Sequence, residues 1–240
     1  MYLQRVDSTA VKKTTKIVQV NNNLDDGNTP LMDAAENGDL NKVKRLIAAG
    51  ANVNARNIFG CTPLMSAIHA FEAEVLATRN NYIEIVKALI AAGAKIEART
   101  AKTDGNAGGA TPLIMAAEKG NIDFINVLIE KHANVNAKNN AGWTPLMEAA
   151  VGGHIDVMQA LIAKGADVNA KRDDGWTVLM EAAYGGSPDA VKVLIKAGAN
   201  LRAKNEDGNN ALYIARFIAP GSGVRLIAAD IIEEAMANQK

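Results

Sequence analysis

The sequence predicts an all-α solenoid of stacked helix–turn–helix repeats that are joined by short β-hairpin tips. Three features lead to this prediction: a period of 33 residues, a Thr-Pro pair at the start of most periods, and an alanine-rich stretch after each pair. A fixed period of this length is typical of repeat proteins, in which each repeat packs mainly against its neighbours. We therefore expect one elongated structure rather than two globular domains.

The threonine of each Thr-Pro pair sets the register of the repeats. Successive threonines lie 33 residues apart, from Thr29 to Thr62 and again from Thr111 through Thr144 to Thr177. Asn210 stands one further period along the chain and begins a weaker copy. The interval between Thr62 and Thr111 is 49 residues, so this repeat carries two insertions, one within 69–80 and one within 100–109.

These positions divide the chain into a predicted N-terminal segment and one repeat domain. The segment over residues 1–25 is expected to end in half a hairpin, which caps the first repeat. The single domain over 26–238 is expected to contain repeats near 26–58, 59–107, 108–140, 141–173, 174–206 and, as a degenerate cap, 207–238. Terminal repeats of such stacks need a polar outer face, because no neighbour covers them.

Each repeat has the signals of two helices and a turn. Threonine is a good N-cap, and the following proline suits the first helical position, where its missing N–H costs nothing. The first helix is short and rich in alanine, and the second has apolar residues at helical spacing, such as Val191, Leu194 and Ile195. Glycines such as Gly165 and Gly198 supply a left-handed C-terminal cap, and Asp-Gly or Asn-rich turns follow.

The repeat resembles the ankyrin repeat, whose family pattern runs DGxTPLHxAAxxGHxxxVxxLLxxGAxVNA. Residues 141–170 read AGWTPLMEAAVGGHIDVMQALIAKGADVNA, and the resemblance extends over roughly 20–235. Methionine mostly stands where the family has histidine after TPL, and His132 replaces a capping glycine. The resemblance implies a surface of hairpin tips and first helices that binds other proteins.

The composition argues against several other classes of protein. The 26 basic and 26 acidic residues give a formal net charge of zero, which is unusual for proteins that bind nucleic acids or membrane surfaces. The one cysteine, Cys61, excludes an intrachain disulfide, and no apolar run is long enough to span a membrane. The N-terminus lacks the apolar centre of a signal peptide. We expect a cytoplasmic monomer, with export or secretion into a host left open.

Candidates for chemistry are few in this sequence. His69, His132 and His154 lie too far apart in the repeat register to bind one metal ion. We expect a structural role for His154 in the turn between two helices, and a lone surface thiol at Cys61. Neither a nucleophile elbow nor a phosphate-binding loop occurs. The sequence therefore predicts no enzyme activity, no metal site and no cofactor.

The predicted partner-binding residues occupy positions that vary between repeats. Trp143 and Trp176 directly precede the anchor threonine, and Glu148 and Glu181 follow the TPLM and VLM motifs. Neighbouring helices pack about 8–10 Å apart, so we expect both carboxylates side by side on the binding face, near the tryptophans and Tyr184. Exposed aromatic residues with flanking charges are typical of interface hot spots. The alternative is that the tryptophans pack flat on neighbouring hairpins and only stiffen them.

Three further residues complete the predicted surface: Met115, Phe59 and Asp104. Met115 follows the TPLI motif, and Phe59 belongs to a hairpin tip. Asp104 lies in the insertion at 100–109, which should lengthen a tip and be mobile in isolation. In the insertion at 69–80, Phe71 and Val75 have helical spacing. That spacing predicts a longer first helix, which packs locally or, alternatively, forms a second contact site.

These features predict noncovalent protein binding through the face of tips and first helices. Two further functions stay open. The chain could be an inhibitor or protective partner of one enzyme, because the sequence would look the same. It could instead bind a small ligand, or act on one, in a groove between Trp143 and Trp176.

Overall fold

The computed structural model describes residues 27–71, 76–105, 107–218 and 224–238. The cap predicted over 1–25 lies outside these residues. The chain divides into two compact units, Met1–Ala101 and Lys102–Lys240, which we call the N-terminal and the C-terminal unit. The boundary falls within the insertion at 100–109. One repeat domain over 26–238 stays a prediction.

The N-terminal unit contains two helical pairs. Helices α1 (Pro30–Glu36) and α2 (Leu40–Ala48) form the first pair, and α3 (Pro63–His69) and α4 (Leu76–Ala91) form the second. The two pairs join because α1 packs on α3 and α2 packs on α4. Their shared core is aliphatic and includes the fully buried side chains of Leu31, Met32, Leu64, Met65, Ile85 and Leu89.

The C-terminal unit repeats this arrangement and ends in a modified repeat. The first helices are α5 (Pro112–Glu118), α7 (Pro145–Val151) and α9 (Val178–Gly185), and the second helices are α6 (Ile122–Glu130), α8 (Ile155–Ala163) and α10 (Pro188–Lys196). Helix α7 packs on both α5 and α9, and α8 packs on both α6 and α10. In the last repeat, α11 (Ala211–Tyr213) continues as a π-helical turn, Ile214–Ile218, and α12 (Val224–Asn238) packs on α10.

A buried threonine begins the first helix of each of the five clear repeats. Its side-chain oxygen accepts the backbone N–H of the third helical residue at 3.3–3.4 Å, as Thr144 does from Met147. The predicted caps are therefore confirmed. In two repeats the methionine that replaces the family's histidine adds a second bond, because its sulfur accepts the threonine N–H at 3.4 Å. The substitution thus preserves a capped first turn.

Short hairpin turns join successive repeats. In the tip before α9, the N–H of Arg172 donates to the carbonyl oxygen of Trp176 at 2.9 Å. The N–H of Gly175 donates to the carbonyl oxygen of Arg172 at 3.1 Å. Strand pairing in the described residues amounts to isolated bridges, one of them between Lys171 and Thr177. The tips are therefore hairpin turns with almost no sheet.

Asparagine side chains connect the first three repeats of the C-terminal unit to one another. The amide nitrogen of Asn136 donates to the carbonyl oxygen of Gly165 at 3.0 Å, and its Oδ1 accepts the N–H of Asp167 at 2.8 Å. Asn169, one period later, forms both bonds with the repeat that follows it. Because the nitrogen and the oxygen of each asparagine amide both bond to the neighbouring repeat, these bonds fix the spacing between hairpins.

The insertion at 69–80 lengthens the second helix of its repeat, so the prediction of a longer first helix is wrong. Helix α3 has seven residues, like other first helices, whereas α4 has sixteen residues where α2 has nine. The ring of Phe71, 6% exposed, meets Tyr82 edge-on with centres 6.1 Å apart. The Tyr82 hydroxyl donates to the carbonyl oxygen of Glu36 at 2.6 Å. Local packing of Phe71 is thus confirmed, whereas Val75 lies outside the described residues.

His132 adopts the left-handed backbone conformation that equivalent caps give to glycine. Its φ is 66°, and it is the one non-glycine residue with positive φ in the described part of the chain. Its N–H donates to the carbonyl oxygen of Ile129 at 2.9 Å, and the N–H of Ala133 donates to that of Leu128 at 3.0 Å. This is a Schellman cap, and a residue with a Cβ is strained there.

Replacing His132→Gly should stabilise the protein by about 0.5–1 kcal/mol, since the strain relieved exceeds the entropy that glycine loses on folding. Urea denaturation measures the change. Gly165 is the matched control, with φ of 86° in the equivalent cap and no atom within 4 Å of an added Cβ. Gly165→Ala should therefore destabilise by about 1 kcal/mol through the backbone alone. An unchanged midpoint for His132→Gly would contradict the strain argument.

Candidate functional site

An arginine of the C-terminal unit faces two indole rings. The guanidinium carbon of Arg172 lies 4.8 Å from the centre of the Trp143 ring and 5.1 Å from that of Trp176. Each tryptophan directly precedes the threonine cap of a first helix, so the repeat spacing brings both rings to the tip that carries Arg172. Cation–π contacts of this kind contribute about 0.5–2 kcal/mol each, more when water is excluded.

Two carboxylates hold the guanidinium group. Nε of Arg172 donates to Oδ1 of Asp174 at 3.0 Å, and Nη2 pairs with Oδ2 of the same carboxylate. Nη1 lies 2.9 Å from Oε1 of Glu181 on α9. The side chain of Arg172 is only 17% exposed, so water screens these contacts weakly. The planar guanidinium is therefore fixed on several sides.

Arg172 occupies a tip position that other repeats give to asparagine. The equivalent residues are Asn57, Asn139 and Asn205. Oδ1 of Asn139 accepts the N–H of Trp143 at 3.0 Å and so closes its own tip. In the tip of Arg172 the carboxylate of Asp174 performs this role, because its Oδ1 accepts the N–H of Trp176 at 3.2 Å. The Arg172 side chain is thereby released to reach the neighbouring helices.

Sequence reasoning missed both Arg172 and Asp174 as members of the site. A signal was nevertheless present in the period, because an arginine stands where the register otherwise has asparagine. The predicted binding residues lie mostly next to the threonine or after the TPLM motif, whereas Arg172 lies at the start of the tip. Comparing every position of the 33-residue period would have found Arg172.

Glu181 is buried, which corrects the expectation that it stands on the binding face. The residue is 2% exposed, because Arg172 and the surrounding aromatic side chains cover it. Its Oε1 forms the ion pair with Arg172 at an angle that makes no hydrogen bond, so within the described residues this oxygen accepts none. Burial raises the pKa of Glu181 to about 7; Arg172 opposes the rise, whereas Asp174 and Glu148 add to it.

Glu148 lies one period before Glu181, on α7, and is half-buried. Burial raises the pKa of Glu148 to about 7, with a further rise from Glu118 and an opposing effect of Arg172. Since Glu148 also raises the pKa of Glu181, the two carboxylates lie within electrostatic reach of each other. Their expected exposure is wrong, and their side-by-side placement stays a prediction.

Aromatic side chains and Glu181 border a groove of about 300 Å³ in the C-terminal unit. Its lining residues are Trp143, Val151, Arg172, Trp176, Glu181 and Tyr184. Tyr184, 39% exposed at the end of α9, meets the ring of Trp176 edge-on with centres 5.8 Å apart. Both tryptophans are half-buried, since each contacts Arg172 as well as the groove.

The structure brings four of the predicted binding residues together around the groove, namely Trp143, Trp176, Glu181 and Tyr184, and Glu148 lies within electrostatic reach of Glu181. Met115 is 9% exposed within the core of its repeat, which corrects the expectation of a surface position. Asp104 is exposed in the insertion, and Phe59 is 49% exposed in a tip of the N-terminal unit. Neither lines the groove. Their contact with a partner stays a prediction.

Other reactive side chains have structural surroundings. The ring of His154 packs over Gly120 and Gly152, where an added Cβ would come within 2.4 and 2.5 Å of ring atoms. Burial raises the pKa of the Cys61 thiol, which makes it a poor nucleophile. In the described ranges, no cluster of His, Cys, Asp and Glu is suited to a metal ion. No helix of those ranges is long and apolar enough to cross a membrane.

Comparison with known proteins identifies the family. A family model described as ankyrin repeats (3 copies) matches residues 4–100 and 75–172, and one described as ankyrin repeats (many copies) matches 161–215. The chain therefore belongs to the ankyrin repeat family. Ankyrin repeats generally mediate protein–protein interactions, and the fold is typically a non-enzymatic interaction module.

A solved structure supports the same architecture. The chain is similar to the human ASB11 ankyrin repeat domain, known from a crystal structure, with a TM-score of 0.71 and 25% sequence identity. The similarity covers 91% of this chain and 89% of that one. No curated protein matches the sequence. The chain is thus an ankyrin-repeat solenoid.

Replacing Arg172→Asn tests whether the arginine stabilises the hairpin tip or pairs with the buried carboxylate of Glu181. The tip should still fold, because asparagine closes the equivalent tip at Asn139. Ionised Glu181 would lose its counter-ion, so the free energy of unfolding should fall by about 3 kcal/mol at pH 8. The loss should be clearly smaller at pH 5, where Glu181 is protonated. Urea denaturation at both pH values measures it, and equal losses would show that Arg172 acts through packing alone.

The raised pKa values also make stability depend on pH. A carboxyl group whose pKa rises from 4.5 to about 7 on folding stabilises fully below pH 4.5 and loses this contribution as the pH rises through 7. The free energy of unfolding should therefore fall between pH 5 and pH 8, by on the order of 1–2 kcal/mol for each group. Glu148→Gln should remove about half of this fall, because one of two such groups is lost.

Denaturation profiles of Glu148→Gln and of a matched control check this pH dependence. Glu130→Gln changes an exposed glutamate at the end of α6 and should leave the profile of the native chain unchanged. If Glu148→Gln gave a profile parallel to that of the native chain, the pKa of Glu148 could not be the cause.

Proposed function

We propose that the protein binds another protein noncovalently, through the surface that Trp143, Trp176 and Tyr184 form in the C-terminal unit. The groove itself carries the proposal: three aromatic side chains surround about 300 Å³ of space in a fold that generally serves protein binding. Tryptophan and tyrosine are among the residues in which the binding energy of interfaces concentrates. An aromatic groove on this scaffold therefore favours a protein partner.

Preorganisation supports the proposal. Arg172 positions the indoles of Trp143 and Trp176 before any partner arrives. Side chains that are already ordered lose less conformational entropy on binding, so more of the contact energy contributes to affinity. The capped, closely packed helices beneath them should move little when a partner binds.

A small ligand in the same groove is the less favoured candidate. Pockets for such ligands enclose about 300–1,000 Å³ and bury most of the ligand surface. The groove is at the lower end of this range, and Tyr184 at its rim is 39% exposed. One side chain of a protein partner fits such a groove better than a whole ligand does. An activity assay on the captured partner would distinguish inhibition or protection of an enzyme from other binding roles.

Replacing Tyr184→Ala should weaken capture of the partner from a lysate of the source cells at least tenfold, or about 1.4 kcal/mol. The scaffold tolerates the change, because the equivalent positions of the two preceding repeats hold Glu118 and Val151. Tyr213→Ala is the matched control, since Tyr213 is 46% exposed in the same unit and does not line the groove. Circular dichroism verifies that both variants fold.

A double variant extends this experiment. Trp143→Ala combined with Trp176→Ala removes both indoles, and we expect a folded double variant to lose the partner. If the native chain, Tyr184→Ala and the double variant all retain the same protein equally, binding occurs elsewhere and the proposed function of the groove is wrong.

A further inference from the structure

We infer that the groove receives a basic side chain, arginine or lysine, from the partner protein and places it next to the carboxylate of Glu181. The inference rests on the proposed function, since a partner protein must supply this side chain. It identifies the chemistry that the partner presents at the centre of the contact, and it follows from the charge balance, a buried acceptor and the aromatic walls of the groove.

The charge balance of the site is negative. Among the described residues, Arg172 is the one cation that acts on Glu148 and Glu181, whereas three carboxylates lie around it, those of Asp174, Glu181 and Glu148. Two nitrogens of Arg172 are occupied by Asp174, and a third faces Glu181. In the described residues, Glu148 forms no ion pair of its own. The exposed Glu118 adds a further negative charge near Glu148. A second cation would balance this excess.

The carboxylate of Glu181 lies at the groove and, in the described part of the chain, has an oxygen without an aligned donor. Glu181 is 2% exposed and lines the groove, yet its Oε1 accepts no hydrogen bond from the described residues. Leaving a buried charged acceptor without a donor costs free energy that a correctly placed donor recovers. Arg172 already places one positive charge 2.9 Å from this oxygen, and a second guanidinium or ammonium group would add both charge and N–H donors at the carboxylate.

The walls of the groove favour a cation as well. Trp176 and Tyr184 line the groove, and aromatic faces attract guanidinium and ammonium groups. Arg172 already forms such cation–π contacts in this protein, since its guanidinium lies about 5 Å from the ring centres of Trp143 and Trp176. An anionic side chain would be repelled by the carboxylates, and an apolar one would leave Glu181 without a donor. A basic side chain is the choice that satisfies all three features.

Binding of a cation should be linked to proton release. Burial raises the pKa of both Glu148 and Glu181 to about 7, so each is partly protonated at neutral pH. The charges that act on them are Glu118 from α5, Arg172 and Asp174 from the hairpin tip, and for Glu181 also Glu148. A bound cation stabilises the ionised carboxylates. The affinity should therefore increase from pH 6 to pH 8, with release of protons.

Tryptophan fluorescence provides a direct test, because the chain contains two tryptophans and both line the groove. The probes are the peptides acetyl-Gly-Arg-Gly-amide, acetyl-Gly-Lys-Gly-amide and, as a neutral isostere of the first, acetyl-Gly-citrulline-Gly-amide, titrated into the full chain at constant ionic strength. We expect a saturable change with at least one basic peptide, at least fivefold tighter than with the citrulline peptide and tighter at pH 8 than at pH 6.

Two variants connect the signal to the carboxylates. Glu148→Gln should weaken binding of the basic peptide at least threefold at pH 8, and Glu130→Gln, an exposed glutamate away from the groove, should not change it. Equal responses to the arginine and citrulline peptides overturn the inference, as does the absence of any response to both basic peptides. If either result occurs while Tyr184→Ala still abolishes capture of the partner, the proposed function stands and the basic side chain alone is refuted. If capture is also insensitive to Tyr184→Ala, the proposed function and the inference of a basic side chain are both wrong.

Discussion

The first helices of the five clear repeats have only seven or eight residues. Isolated helices shorter than about 12–15 residues are marginal in water, because one turn does not recover the entropy of its own nucleation. These helices exist because a buried threonine caps each of them and because neighbouring helices pack against them, as α7 packs against α5 and α9. The groove depends on this stacking, since it makes neighbours of residues that lie one period apart.

The groove arises from a small number of charged replacements on a largely neutral scaffold. Asparagine closes most of the described tips with its side-chain oxygen, but Arg172 takes that place in one tip and contacts Glu181 instead. A buried charge is costly unless it is paired, and paired charges seldom stabilise more than apolar residues of the same size. The asparagine tips show that the fold does not need these charges. We therefore attribute them to recognition rather than to stability.

If the groove binds the partner as proposed, this arrangement makes a rigid repeat protein selective. The aromatic rings supply contact area, and the carboxylates determine which side chain can approach them. Asp174 orients Arg172 through hydrogen bonds within one tip, and Arg172 in turn contacts the rings of both tryptophans. The partner needs to order little of the surface that it meets. Under the proposed function, selectivity comes from charge complementarity at a preformed groove.

The sequence by itself determined the repeat period, the capped starts of the first helices and the family, because these depend on residues within one or two turns of each other. It also predicted that Trp143, Trp176, Glu148, Glu181 and Tyr184 would meet. Only the tertiary structure decided that Glu181 is buried, that Arg172 joins the two indoles, and that the insertion at 69–80 lengthens α4. Burial and pairing depend on side chains of neighbouring repeats, and a pattern that treats all repeats as equal does not contain that information.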